Sequence, residues 1–168
     1  MNRREFLKSA LTLAALAPVT RLAAKAGADG DKASDFTSGA QVTRRRWKDS
    51  ALTLPLLGFG CMRLPRITPD NPAIDYPTVK KMIDRAMLAG CNYFDTAYMY
   101  HGGESEKCLG ELLKSYSRDA YYLADKMPVR FAKKESDVER IFKEQLVRCK
   151  TDYFDFYMLH ALDKANWE

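Results

Sequence analysis

Hydrophobic and polar positions along this chain fall into a regular succession of short apolar runs and amphipathic stretches. Two strand-like runs, Val42–Trp47 and Leu52–Leu57, flank Lys48-Asp49-Ser50, whose turn chemistry predicts a β-hairpin. An apolar strand over Leu56–Gly60 follows and stops at Gly58-Phe59-Gly60-Cys61-Met62-Arg63. Pro65, Pro69 and Pro72 then mark an irregular stretch in which no helix can run. From Tyr76 to Ala89, the residues Val79, Met82, Ile83, Ala86 and Met87 recur at helical spacing, with Gly90 placed to end the helix. Strand Cys91–Asp95, helix Glu104–Tyr116, strand Ala120–Lys126, helix Glu135–Cys149 and strand Tyr153–His160 complete the order.

Strand and helix in strict alternation predict parallel βα units. The strands are apolar almost throughout, as expected of a parallel sheet buried on both faces. Asp95, Lys126 and His160 each close a strand and recur at a pitch of about 31–34 residues. In a (β/α)-barrel, the C-terminal strand ends form the face that bears the active site. The body, residues 27–168, is shorter than the roughly 250 residues of a complete (β/α)8 barrel. It therefore reads as the N-terminal hairpin and about the first four βα strands of such a barrel. That predicts a fragment of a longer protein, or a truncated gene product, with an open sheet edge at its fourth strand.

Residues 1–26 read differently. Arg3, Arg4, Lys8, Arg21 and Lys25 stand against Glu5 alone, so most of the formal net charge of +5 lies in this segment. A basic start, an apolar run from Ala10 to Val19 and Ala24-Lys25-Ala26 predict a signal peptide cleaved after Ala26. The apolar run is too short for an ordinary membrane span. Arg3-Arg4 with Phe6-Leu7-Lys8 behind them resembles the twin-arginine signal, which directs export of folded proteins to the periplasm. A generic secretory signal, or an uncleaved signal acting as an anchor, is the alternative. Residues 27–41, rich in Gly, Ala, Ser and Asp, predict a flexible linker, leaving 42–168 as the half barrel.

The near-neutral body gives a nucleic-acid partner little electrostatic support. Cys61, Cys91, Cys108 and Cys149 form no CxxC pair and find no histidine to complete a zinc site, so no metal is expected. They read as small buried hydrophobes.

The motifs Phe94-Asp95-Thr96-Ala97-Tyr98-Met99-Tyr100, Gly103-Glu104-Ser105-Glu106, Leu123-Ala124-Asp125-Lys126-Met127-Pro128 and Asp155-Phe156-Tyr157-Met158-Leu159-His160 resemble the second, third and fourth strand ends of the aldo-keto reductases. Gly58–Arg63 is similar to that family's first strand and the loop beneath the nicotinamide. The resemblance covers most of residues 42–162. It implies a (β/α)8 TIM barrel and an NADP(H)-dependent (or NAD(H)-dependent) reduction of a small aldehyde or ketone. It implies Asp95, Tyr100, Lys126 and His160 as catalytic residues, and Gly60, Cys61, Met62, Arg63, Asp95 and Tyr100 as nicotinamide neighbours. The remaining cofactor contacts would come from strands five to eight. Some exported relatives add a C-terminal iron–sulfur segment, which is a family implication only.

The chemistry stands without the family. Hydride addition to a carbonyl leaves an alkoxide that needs a proton. A tyrosine, with a free pKa of about 10, delivers it more readily beside an ammonium, which favours phenolate. That makes Tyr100 the general acid/base, Lys126 its modulator, Asp95 the lysine's partner and His160 the carbonyl orienter. Each has a plainer reading: a packed aromatic, a snorkelling lysine, a turn aspartate, a core histidine. Their conjunction at three successive strand ends favours a site. His101 reads either as a pocket residue or as a solvated loop residue. Asp125, where many relatives carry Thr, either helps hold Lys126 or points to the opposite face. A nicotinamide-binding regulatory or scaffold module, or an inactive half barrel, is the competing function, and under the reductase reading too the fragment alone is expected to be inactive.

Overall fold

The computed structural model describes residues 41–164. The expected signal, most of the expected linker and the last four residues lie outside that range. Four strands form one parallel sheet: β3 (Phe59–Gly60), β6 (Tyr93–Asp95), β7 (Tyr122–Met127) and β8 (Phe156–Leu159), side by side in that order. Three helices connect or flank them: α1 (Tyr76–Leu88), α2 (Glu104–Leu112) and α3 (Glu135–Cys149). A hairpin of β1 (Arg44–Arg46) and β2 (Thr53–Pro55) precedes the sheet. Among the described residues, no helix is long and apolar enough to cross a membrane.

The stretch read as irregular is a second hairpin, β4 (Arg66–Thr68) and β5 (Asn71–Ile74). Its prolines sit where an antiparallel edge tolerates them: Pro69 in the turn, Pro72 on a strand whose first three residues are exposed. The expected helix Glu104–Tyr116 stops being α-helical at Leu112 and tightens into a 3-10 turn over Leu113–Ser115.

Helix α1 starts where Asp75 Oδ1 accepts the Thr78 N–H (3.1 Å), with Pro77 in its first turn. It ends in a Schellman arrangement. Gly90 adopts φ +81° and donates to the Met87 carbonyl, while Cys91 donates to Ala86. The first hairpin is tied to that end: Val42 N–H donates to Ala89 O, and Arg44 reaches Gly90 O and Asn92 Oδ1. It packs at the start of the sheet, where the Trp47 ring meets Phe156 edge-on.

Strand alternation divides the sheet into two faces. The register pairs Gly60 with Asp95, Asp95 with Ala124 and Lys126 with Met158. Gly60, Asp95, Ala124, Lys126 and Met158 therefore share the inner face. Phe94, Leu123, Asp125, Met127 and Tyr157 face the helices. The core lies on that outer face, where Val79, Ile83, Phe94, Leu109 and Leu123 are buried. Each such side chain contributes about 1.5–3 kcal/mol of transfer free energy. Helices α2 and α3 approach closely at Gly110, where a Cβ would stand 2.4 Å from the Arg148 carbonyl oxygen.

The outer face also holds a buried polar cluster. Glu106 and Asp125 are fully buried, and Arg148 Nη1 donates to Glu106 Oε2 at 2.8 Å. Asp125 Oδ1 accepts the Lys126 N–H (2.7 Å), and Cys149 Sγ lies 3.9 Å from Asp125 Oδ2. Among the described residues, Glu106 Oε1 has no hydrogen-bond partner. Burial, and then the Glu106 charge, push the Asp125 carboxyl well above the usual carboxylate range. The folded state therefore favours a proton on Asp125. Asp125 thus points away from the inner face. The four thiols are buried and unbridged.

The raised Asp125 pKa fixes a pH trend. The folded state holds this proton more tightly than the unfolded chain, whose aspartate titrates near about 4. The contribution is complete below that value and is lost as pH rises toward the folded pKa. Asp125→Asn keeps the acceptor for Lys126 N–H and offers an amide donor to Glu106. It is expected to match the wild type near pH 4 and to melt several degrees higher at pH 8, in thermal melts across that range. An unchanged difference at every pH would contradict the raised Asp125 pKa.

Candidate active site

The inner face carries Asp95 and Lys126 on neighbouring strands. Lys126 lies two residues beyond Ala124, the register partner of Asp95, so its four-carbon stem reaches back over the carboxylate. Lys126 Nζ forms a salt bridge with Asp95 Oδ1. It also donates to the Thr96 carbonyl at 2.7 Å and to the Tyr100 hydroxyl at 3.2 Å. The lysine side chain is only 14% exposed, against 31% for Asp95. A compact ammonium with three oxygen partners fills its three N–H directions.

Tyr100 enters from the loop after β6. Residues 101–103 adopt φ of +52°, +66° and +94°, a sharp left-handed turn. Glycine supplies two of the three, and histidine is among the non-glycine residues that tolerate this region. The turn sets Tyr100 beside Lys126, with the ammonium 4.8 Å from the ring centroid. His160 follows β8 and continues its ladder, donating its N–H to Met127 O at 2.8 Å. Its imidazole meets the Tyr100 ring edge-on, centroids 5.6 Å apart. Burial, then Lys126 and Arg130, lower the His160 pKa, so the ring is neutral near pH 7.

The loop after β3 borders this group. Cys61 N–H donates to Asp95 O at 2.8 Å. The Cys61 side chain is fully buried, and burial pushes its thiol far up, so this residue meets the site through its backbone. Gly60, Met62 and Arg63 are exposed. Among the described residues, no atom beyond its chain neighbours lies within 4 Å of where a Gly60 Cβ would stand, leaving an open face beside the aspartate. The structure therefore gathers Asp95, Tyr100, Lys126 and His160 at one end of the sheet, with Gly60, Met62 and Arg63 on its rim.

Three further residues belong to this region without a sequence signal that distinguishes them from packing or turn residues. Thr96 and Ser105, both fully buried, link hydroxyls at 3.0 Å. Gln145 donates to the Lys126 carbonyl at 3.1 Å and accepts from the Tyr157 hydroxyl. His101, left open between pocket and solvent, is a loop anchor: its Nε2 accepts the Leu64 N–H at 3.0 Å. That bond needs the neutral ring with its proton on Nδ1.

A family model described as "Aldo/keto reductase family" matches residues 56–166. An uncharacterized oxidoreductase of Bacillus subtilis, YqkF, is 31% identical over 129 residues, 71% of this chain and 39% of that protein. The holo form of aldo-keto reductase AKR11C1 from Bacillus halodurans superposes with a TM-score of 0.57 at 32% identity, over 71% of this chain and 40% of that one. An aldo-keto reductase from Klebsiella pneumoniae in complex with NADPH gives a TM-score of 0.55 at 26% identity, over 64% of this chain and 36% of that one. These neighbours are (β/α)8 barrels, of which the present chain supplies part. It spans about 40% of the length of YqkF and of AKR11C1.

Burial, and secondarily Arg66, lower the His101 pKa. For a base with a lowered folded pKa, stability is present above the unfolded value near about 6.5 and is lost as pH falls. The Leu64 amide is therefore expected to lose hydrogen-exchange protection below about pH 6, after correction for intrinsic rates. His101→Gln, which keeps an acceptor, removes that dependence. Protection insensitive both to pH and to His101→Ala would show that the contact holds nothing.

Proposed function

The chain belongs to the aldo/keto reductase family, and on that premise we propose that it reduces a small aldehyde or ketone with NADP(H), using Tyr100 as the proton donor. One observation carries the reading. The Lys126 ammonium touches the Asp95 carboxylate, the Thr96 carbonyl and the Tyr100 hydroxyl at once.

A nicotinamide cofactor, when bound, supplies the hydride. The residues present fit its ring: Gly60 leaves open space on the inner face beside its register partner Asp95, and Lys126 links Asp95 to Tyr100. Met62 and Arg63 on the rim are the further side chains of this loop that would hold it. The Klebsiella pneumoniae neighbour is described in complex with NADPH, which supports the phosphorylated form.

The chain's own groups then handle the proton. A substrate carbonyl beside Tyr100 accepts a hydrogen bond from the phenol. As negative charge develops on that oxygen, Tyr100 Oη releases its proton to it. The Lys126 ammonium stabilises the phenolate left behind. Asp95 keeps Lys126 charged and aimed, and the Thr96 carbonyl fixes its third direction. The neutral His160 ring, edge-on to Tyr100, orients the carbonyl. An imidazole uncharged near pH 7 orients the carbonyl as a hydrogen-bond donor and leaves proton delivery to the phenol.

Residues 1–26 complete the proposal. The Arg3-Arg4 pattern, the short apolar run and Ala24-Lys25-Ala26 support twin-arginine export to the periplasm with cleavage after Ala26. Joint Arg3→Lys and Arg4→Lys substitution is expected to strand the protein in the cytoplasm. Wild-type protein from the periplasm is expected to begin at Gly27. Export undiminished by the double substitution would favour a generic secretory signal instead.

For the chemistry, Tyr100→Phe in the full chain is expected to lower carbonyl reduction by about 10²- to 10⁴-fold, while NADPH binding by fluorescence titration stays intact. Equal turnover would remove Tyr100 from the mechanism. A wild-type protein that binds NADPH yet reduces no carbonyl would point to the binding-module reading.

A further inference from the structure

We infer that Thr96 and Ser105 are positioning residues of the proposed reduction: a buried hydroxyl pair that locks the carbonyl holding the Lys126 ammonium to the loop bordering the cofactor face. The inference rests on the reductase reading for its role, and on geometry alone for its structure.

The lysine's third partner is a backbone carbonyl, so its aim depends on how the 96–97 peptide is held. Thr96 N–H donates to Ala124 O at 3.0 Å, fixing one side of the residue to β7. The side chain fixes the other. Ser105 Oγ donates to the Cys61 carbonyl at 3.0 Å. That oxygen is a pure acceptor, so the single Ser105 proton is spent there. The 3.0 Å contact between Thr96 Oγ1 and Ser105 Oγ then has one direction: Thr96 donates and Ser105 accepts.

The network closes on itself. Cys61 N–H donates back to the carbonyl of Asp95, the residue before Thr96 and the salt-bridge partner of Lys126. One ring of bonds thus joins the end of β6, the first turn of α2 and the loop after β3. Both hydroxyls are fully buried, where water cannot replace a missing partner. Removing the Ser105 hydroxyl leaves the Thr96 O–H without its acceptor and the Cys61 carbonyl without that donor, while removing the Thr96 hydroxyl cuts the tie between its side chain and the first turn of α2; either change frees the Thr96 peptide or the Cys61 loop to move. Movement of the first kind misaims the ammonium, and movement of the second kind shifts the Gly60–Arg63 rim. Displacements of this size are costly where proton donor and acceptor must meet.

The test pairs Thr96→Val, which keeps shape and loses the hydroxyl, with Thr96→Ser, which keeps the hydroxyl; Ser105→Ala opens the other half. Two readouts are taken on the full chain. The first is steady-state reduction with NADPH. Thr96→Val is expected to lower kcat by about 10- to 100-fold with little change in carbonyl KM, and Thr96→Ser to recover most of that loss. Ser105→Ala is expected to weaken NADPH binding as well. The second readout needs no turnover: acylation of Lys126 by acetic anhydride, scored by mass spectrometry against exposed Lys107. Labelling of Lys126 is expected to rise several-fold in Thr96→Val and Ser105→Ala, and not in Thr96→Ser. Lys126 labelling equal in Thr96→Val and wild type, or Thr96→Ser as impaired as Thr96→Val, would overturn the inference. If the wild type reduces no carbonyl, the labelling comparison still decides whether the pair holds Lys126, and only the reductase reading falls.

Discussion

A single ammonium organises this molecule. Lys126 Nζ sits largely enclosed at the end of the sheet, with a carboxylate, a carbonyl and a phenol around it. A cation withdrawn from water must find partners in every direction its protons point, or give up its charge. Those partners arrive from one neighbouring strand end and the loop that follows it. The requirement therefore constrains the register of β6 on β7, the turn at residues 101–103 and the loop after β3 together. The proposed chemistry is a use of that constraint: a held positive charge beside a phenol stabilises the phenolate that proton donation creates.

The same strand serves a second purpose on its other side. Lys126 faces inward, while Asp125, its neighbour, is fully buried among Glu106, Cys149 and the helices. Arg148 satisfies one oxygen of Glu106 and packs over Gly103, where an added Cβ would lie 2.8 Å from its guanidinium. Removing one partner of such a buried pair typically costs about 3–5 kcal/mol. The outer cluster thus clamps α2 and α3 to the strand whose inner face holds the ammonium, and it touches the end of the loop that delivers Tyr100.

Much of this is legible in the sequence, for identifiable reasons. Parallel strands buried on both faces read as apolar runs, so the polar residues that close them stand out, and Asp95, Lys126 and His160 are visible as strand-end groups. Helix α3 is legible to the residue because its apolar stripe runs unbroken from Val138 to Cys149. The β4–β5 hairpin is not, since its prolines suppress the alternation that announces a strand and its residues are mostly exposed. Thr96 and Ser105 are invisible for another reason. A hydroxyl at a loop or a helix start has several common uses, and only the spatial meeting of residues nine apart with the Cys61 carbonyl distinguishes this one. His101 is ambiguous until its ring is seen accepting a backbone N–H 37 residues away. The sequence leaves the face of Asp125 open, and the register with β8 decides it.

The central claim, that Asp95 acts through Lys126, is tested most directly by a double-mutant cycle on kcat/KM for NADPH-dependent carbonyl reduction. The cycle compares Asp95→Asn, Lys126→Met and the two combined. If one ammonium-centred unit carries the chemistry, the double variant loses little more than Lys126→Met alone. Losses that simply add would mean that carboxylate and ammonium act separately, and the account built on their contact would be wrong.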